Sequence, residues 1–288
     1  MRQPGISHEY LPAPVAVNGV NPFGQHVLQR YKWAWDQLHG VPGPHLDVGC
    51  GPGRFLQAFV PSALRFSVGV EVNPSDLALA VRDDGVGPVP IPRPAPRFVR
   101  IGTAGGLPFG SSTFASVSLL DVLEHTADPA SLLNEAARVV TPGGLVVITV
   151  PAKHVFTFLD PDNLKFRLPR LHRWAWRRRH GQDAYQSRFV DRGNAGLFGD
   201  MSPGALEHTN YEPAQLAMLL GNAGLLVHRM QGSGIWFRWV QIPSLLLSGG
   251  PARWFEGALV SDGQRVGPPG TGLSRRANLF VVAVRPRP

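Results

Sequence analysis

A chain of 288 residues, 43% hydrophobic and 17% charged, has the make-up of one or two globular domains with a sizeable core, which excludes disordered and fibrous classes. Its single cysteine, Cys50, excludes an intramolecular disulfide framework and any multi-cysteine metal cluster. The formal charge of +8, carried mostly by arginine, favours anionic partners, so nucleic acid, phosphorylated metabolites and membrane surfaces all stay open. The N-terminal MRQPGISHEYLP has no secretory apolar stretch, and no segment approaches the roughly 18 apolar residues of a spanning helix; a cytoplasmic location is expected.

In chain order, NPFGQHVLQRYKWAWDQLH has helical spacing, with Val27, Tyr31, Ala34 and Leu38 on one side, and predicts an N-terminal helix packed on a sheet. From His45 to Pro151 strand-like and helix-like stretches alternate. The predicted elements are a strand at 45–48, a helix at 54–60, a strand at 65–72, a helix at 75–83 and, after the proline-rich GPVPIPRPAPR, a strand at 97–102. A strand at 115–120, a helix at 129–140 opened by Asp128, a turn at 141–144 and a strand at 145–150 follow. Beyond Val150 a basic, aromatic stretch reaches about Asn210; a helix at 212–223 and strands at 224–228 and 277–286 then resume the pattern. This alternation implies right-handed crossovers and a doubly wound, mostly parallel α/β sheet. The expected organisation is an N-terminal helical extension (1–43), a core (44–151), an inserted cap (152–210), and a C-terminal completion of the sheet (211–288) interrupted at about 235–270.

The segment HLDVGCGPGRF (45–55) is a short apolar run broken by Gly49, Gly51 and Gly53. A glycine-rich turn between strand and helix lets backbone approach a nucleotide-type ligand. Its G-x-G-x-G spacing differs from the G-x-G-x-x-G of a dinucleotide fingerprint. Acids close the strands around it: Asp47, Glu71, then Asp121 and Glu124. A pyrophosphate would face several carboxylates at the switch point, with no cation in these motifs to offset them; a ligand carrying an ammonium and a sulfonium would be attracted. Cys50 reads as a small residue packed under the loop.

At these residues the sequence resembles the class I S-adenosylmethionine-dependent methyltransferases. The matching motifs are LDVGCGPGRF, GVEVNP, LPFGSSTFASVSLLDVLEHTADP and EAARVVTPGGLVVITVP, in that order over about 45–151, with a weaker echo at HTNYEPAQLAMLLGNAGLLV. The resemblance implies a seven-stranded Rossmann-like methyltransferase fold with a cap inserted after the fifth strand, S-adenosyl-L-methionine as cofactor, and methyl transfer as activity. It also implies roles. Asp47 would accept from the methionine ammonium, directly or through water, and Gly49, Gly51 and Gly53 would let backbone approach methionine and ribose. Glu71, followed by Val72, would take both ribose hydroxyls. Thr103, followed by Ala104, stands where an acid usually holds the adenine amino group. Asp121 and Val122 would line the methionine end; Glu124 and His125 beyond them serve either the ligand or local packing.

Methyl transfer from sulfonium is an in-line displacement in which the enzyme positions the nucleophile and excludes water. An oxygen nucleophile also needs a base, and the candidates are His154 in VPAKH and His208 in EHTNYEP. Either can instead be structural. Asp160 and Asp162 in DPDN are further candidates; the stretch has the Asp-Asn look of a metal loop but reads as a turn, and no metal is expected. NLKFRLPRLHRWAWRRRHGQ holds seven cations and no acid; Leu171, Trp174 and Ala175 fall on one helical face, and Arg170, Arg173 and Arg177 on another. Such a helix caps a pocket, clamps a phosphate or lies on an anionic membrane as a peripheral contact. Trp236, Phe237, Trp239 and Trp254 leave a homodimer patch, a membrane contact and plain core equally open. The expected acceptor is an oxygen or nitrogen of a small molecule: a specialised metabolite, a sugar or a lipid-linked intermediate. RNA methylation and a non-catalytic cofactor-binding module are the alternatives, and nucleic acid is disfavoured because LDVLEH replaces the proline-rich motif of base-amino methylases.

Overall fold

The computed structural model describes residues 25–38, 40–59, 66–81, 96–102, 106–153, 168–189, 209–234, 267–270, 272–273 and 276–288. Helix α1 (Gln25–Leu38) is followed by β1 (His45–Val48), α2 (Arg54–Phe59), β2 (Ser67–Glu71), α3 (Pro74–Val81), β3 (Arg97–Arg100), β4 (Phe114–Leu120), α4 (Pro129–Val139) and β5 (Val140–Pro151). A helical pair, α5 (Pro169–His180) and α6 (Gln182–Phe189), precedes α7 (Pro213–Asn222), β6 (Leu226–Ser233) and β7 (Asn278–Val284).

The strands form one seven-stranded sheet in the order β3-β2-β1-β4-β5-β7-β6. Neighbours from β3 to β5 are parallel, while β7 runs antiparallel to both β5 and β6. Every residue of β1 and β2 is buried, as expected of parallel strands covered on both faces. The chain winds from β1 out to β3 and returns at β4, so the switch point, where ligands of open α/β sheets bind, falls between β1 and β4.

Two apolar layers hold the sheet. One joins Leu46, Val117, Leu119, Ile148 and Val281 to Leu133 and Ala136 of α4 and Leu216 and Leu220 of α7. The other joins Trp33, Ala34, Trp35 and Leu38 of α1 to Phe55, Leu56, Val147, Phe280 and Val282. Helix α1 thus belongs to the same core as the strands. Asp128 opens α4 as expected from sequence: its Oδ1 accepts from the Ser131 N–H at 2.9 Å.

Two sequence expectations change, and one helix face left open by the sequence is decided. The turn at 141–144 lies within β5, because Gly143 N–H donates to Arg285 O at 2.7 Å and Arg285 N–H donates to Gly144 O at 3.1 Å; a register shift between Phe114 and Ser116 absorbs the irregularity. Strand β6 runs on to Ser233, held by pairing with β7 rather than by alternation. In α5 the apolar residues Leu171 and Trp174 are exposed, and His172 is buried instead, beside the rings of Trp176 and Tyr185, each centred 6.0 Å away. The proline-rich loop, Asp160, Asp162, Trp236, Phe237, Trp239 and Trp254 lie outside the described residues.

Leu38 is fully buried between α1 and the sheet, so Leu38→Ala is expected to cost about 2–5 kcal/mol. Removing the exposed Lys32–Asp36 pair with Lys32→Ala should cost less than about 0.5 kcal/mol. Urea denaturation of both variants checks the contrast; equal effects would show that α1 does not share the core.

Candidate cofactor site at the glycine turn

Strand β1 ends in a turn whose three glycines all take positive φ: +68° at Gly49, +51° at Gly51 and +74° at Gly53. Each has a different neighbourhood. A Cβ on Gly49 would meet Val122 Cγ2 at 2.6 Å, and one on Gly53 would meet Phe98 Cζ at 2.6 Å, whereas among the described residues nothing lies within 4 Å of one on Gly51. Two glycines therefore let the turn pack, and Gly51 faces open space. Cys50 is buried beneath, with Sγ 2.7 Å from where a Cβ on Gly69 would stand; burial and the nearby Asp47 and Glu71 push its thiol far above the usual range, which suits packing rather than nucleophilic attack.

Glu71, at the end of β2, is buried. Its Oε2 accepts from Gly51 N–H at 2.9 Å, and its Oε1 accepts from the N–H groups of Val72 at 2.8 Å and Asn73 at 2.9 Å. The carboxylate ties the glycine turn to the next loop, and of about four acceptor directions one, on Oε2, is left. Val72 itself is exposed.

Asp47 is buried on the face of β1 that also carries His45, opposite Ser116 and Ser118 of β4. Ser118 Oγ donates to Asp47 Oδ1 at 2.5 Å, and the His45 ring bridges the two serines, Nε2 to Ser118 Oγ at 3.0 Å and Nδ1 to Ser116 Oγ at 2.9 Å. While Asp47 is ionised, the Ser118 proton is committed to it, so His45 Nε2–H donates to Ser118 and Nδ1 accepts from Ser116. Burial lowers the His45 pKa to about 3 and keeps the ring neutral. Burial and, less strongly, the charge of Glu71 raise Asp47 to about 7, with the Ser118 hydrogen bond working against them. Sequence reasoning missed this ladder, although its signal was present as H-x-D in β1 and S-x-S in β4.

Asp121 follows β4 at φ +58°. Its Oδ1 accepts from Thr149 Oγ1 at 2.9 Å, and it forms an ion pair with Arg30 of α1. Arg30 also donates from Nη2 to Asn278 Oδ1 at 2.8 Å. The expectation that no cation offsets the acids is thus corrected: Arg30 arrives from outside the motifs, and Arg54, which directly follows Gly53, acts electrostatically on Tyr31 beside the turn. Among the described residues neither Asp47 nor Glu71 joins an ion pair. Val122 packs over Gly49. Glu124 is buried in a short 3-10 turn with Leu123 and His125, onto which Tyr211 docks, donating from its hydroxyl to Leu123 O at 2.9 Å. Thr103, Ala104, His154 and His208 lie outside the described residues. The structure thus brings together Asp47, Gly49, Gly51, Gly53, Glu71, Asp121 and Val122 around one turn.

Residues 46–148 match the family profile described as a methyltransferase domain. Over these residues the chain is similar to methyltransferases. An uncharacterised methyltransferase of Mycobacterium leprae is 37% identical to the chain over 118 residues, 40% of each protein; the match thus spans less than half of that relative's length. An S-adenosylmethionine-dependent methyltransferase of Thermotoga maritima shares the fold with a TM-score of 0.51 at 14% identity, over 91% of both chains. So does the [4+2]-cyclase SpnF, with a TM-score of 0.50 at 17% identity, over 90% of this chain and 82% of that one. A methyltransferase domain implies S-adenosylmethionine as its cofactor. The turn fits it on two counts: the space beyond Gly51 admits a ligand against backbone, and the acidic rim suits a cationic one. No three His, Cys, Asp or Glu side chains among the described residues form a metal site, and no described helix is long and apolar enough to cross a membrane.

The Asp47 carboxylate carries a stability cost with a definite pH signature. Its folded pKa of about 7 lies above the ordinary 3.8, so as pH rises from about 4 to 7 the unfolded chain releases its proton first and the native state loses stability. Asp47→Asn removes this cost, and its melting temperature should exceed that of the wild type at pH 8, the gap closing toward pH 4. A gap independent of pH, followed by thermal melts across that range, would exclude Asp47 as its source.

Proposed function

We propose that the chain transfers the methyl group of S-adenosylmethionine to an oxygen or nitrogen of a small molecule, such as a specialised metabolite, a sugar or a lipid-linked intermediate. The observation that carries the reading is the open Gly51 cradle between two buried carboxylates, Asp47 and Glu71, neither of them ion-paired among the described residues. Asp47 would receive the methionine ammonium, the remaining direction of Glu71 Oε2 would accept a ribose hydroxyl, and Asp121 and Val122 would bound the methionine end. The bound cofactor supplies an electrophilic methyl group. The protein contributes position and dryness: Arg30 and Thr149 hold Asp121, Ser118 holds Asp47, and Tyr211 joins the 3-10 turn to the exit of β5. His154 and His208 remain the proposed bases for an oxygen acceptor.

Calorimetric titration with S-adenosylmethionine, its demethylated product and a nicotinamide dinucleotide tests the site. Binding of the first two alone is expected, and Gly51→Ala, which intrudes on the cradle and also strains the turn at φ +51°, should weaken it, with a thermal melt of the variant separating loss of binding from loss of fold. Because an ammonium prefers ionised Asp47, affinity should be level above about pH 7 and fall about tenfold per pH unit below it. Tight dinucleotide binding would overturn the assignment. Mass-spectrometric screening of oxygen and nitrogen acceptors then separates methyl transfer from cofactor holding alone.

A further inference from the structure

Helix α5 reads PRLHRWAWRRRH and contains no acid. Its outward side carries Arg170, Arg173, Arg177 and Arg178 around Trp174, and these five with Gln182 line one open groove. Such a cluster of like charges repels itself, yet among the described residues no ion pair reaches α5. What holds the guanidiniums is aromatic. Arg177 and Arg173 lie over the Tyr185 ring of α6 at 5.4 Å and 5.8 Å, and Arg178 over Trp174 at 5.9 Å. These contacts order the cations without neutralising them.

Apolar side chains lie on the same side. Trp174 is 55% exposed, Leu168 50% and Leu171 46%, all larger exposures than folding of α5 against α6 requires, since His172 and Tyr185 already form the inner contact. A pocket for a free phosphate needs the arginines but gains little from exposed leucines. A headgroup layer uses both: guanidiniums pair with phosphates while Trp and Leu enter the acyl boundary.

We infer that the outward face of α5 is a docking surface for an anionic lipid bilayer, bound peripherally through Arg170, Arg173, Arg177 and Arg178 with Leu168, Leu171 and Trp174 as apolar anchors. None of these residues belongs to the glycine turn, and the inference stands whether or not the chain transfers methyl groups.

The test is co-sedimentation of the full chain with phosphatidylcholine vesicles, with vesicles that also contain phosphatidylglycerol, and with short single-stranded RNA as competitor. Binding is expected only with phosphatidylglycerol, and it should be lost at high salt. Arg170→Gln, Arg173→Gln and Arg178→Gln together should weaken it roughly 100-fold, at about fivefold per cation near the surface. Lysine at the same three positions keeps the charge and should keep the binding. Trp174→Ala should weaken it without changing its salt dependence. Wild-type binding by the glutamine variant, equal loss in the lysine and glutamine variants, equal binding to neutral vesicles, or RNA that displaces the vesicles would each overturn the inference.

Discussion

The pairing of β1 with β4 is the contact on which the rest of this structure depends. It brings together the two strands from which the chain leaves in opposite directions across the sheet, and so opens the crevice at their carboxyl ends. The same pairing sets Asp47 opposite Ser118 and His45 opposite Ser116. A buried polar ladder between parallel strands is costly unless every member is satisfied, and here each hydroxyl and ring nitrogen has a partner. The consequence is a carboxylate held under the glycine turn with one direction prescribed, and made electrostatically expensive by its burial. A buried carboxylate of that kind is stabilised in its charged form by a cation brought beside it.

Helix α1 completes the site from the other side of the core. Trp33, Trp35 and Leu38 anchor it to β5 through Val147 and to β7 through Phe280 and Val282, and its N-terminal half delivers Arg30 to Asp121 and Asn278. An apolar interface thus fixes the position of a cation that pairs with one acid of the rim, while among the described residues Asp47 and Glu71 join no ion pair. The pairing of Asp121 with Arg30 is a property of this packing, since Arg30 lies outside the motifs that carry the acids. A fold shared with a [4+2]-cyclase also shows why the chemistry must be argued from these side chains and not from the sheet.

Much of the architecture was legible because strand, helix and turn chemistry agree locally. Asp128 before a helical pattern, apolar runs in β1 and β4, and glycines at every second position of one turn are short-range signals, and all stand where expected. Legibility fails where long-range contacts decide. The Thr141-Pro-Gly-Gly144 stretch resembles a turn, yet its amides and carbonyls are claimed by Arg285 at the far end of the chain. The length of β6 is set by β7, with which it pairs down to Ser233. In α5 the apolar stripe faces outward because His172, Trp176 and Tyr185 form the inner contact with α6, and a periodicity argument cannot say which side a neighbouring helix will cover.

The sequence by itself determined the order of the elements of the core from His45 to Pro151, the doubly wound sheet and the identity of the acids that close its strands, because each follows from residues within a few positions of one another. Tertiary structure alone decided what those acids do. Only folding shows that Glu71 holds three backbone N–H groups, that Gly51 and not Gly49 or Gly53 faces open space, that Arg30 reaches Asp121, and that His45 and Ser118 stand behind Asp47. The physical reason is common to all four: hydrogen bonds and charges act over a few ångströms of space, and residues far apart in the chain come within that range only after the sheet has formed.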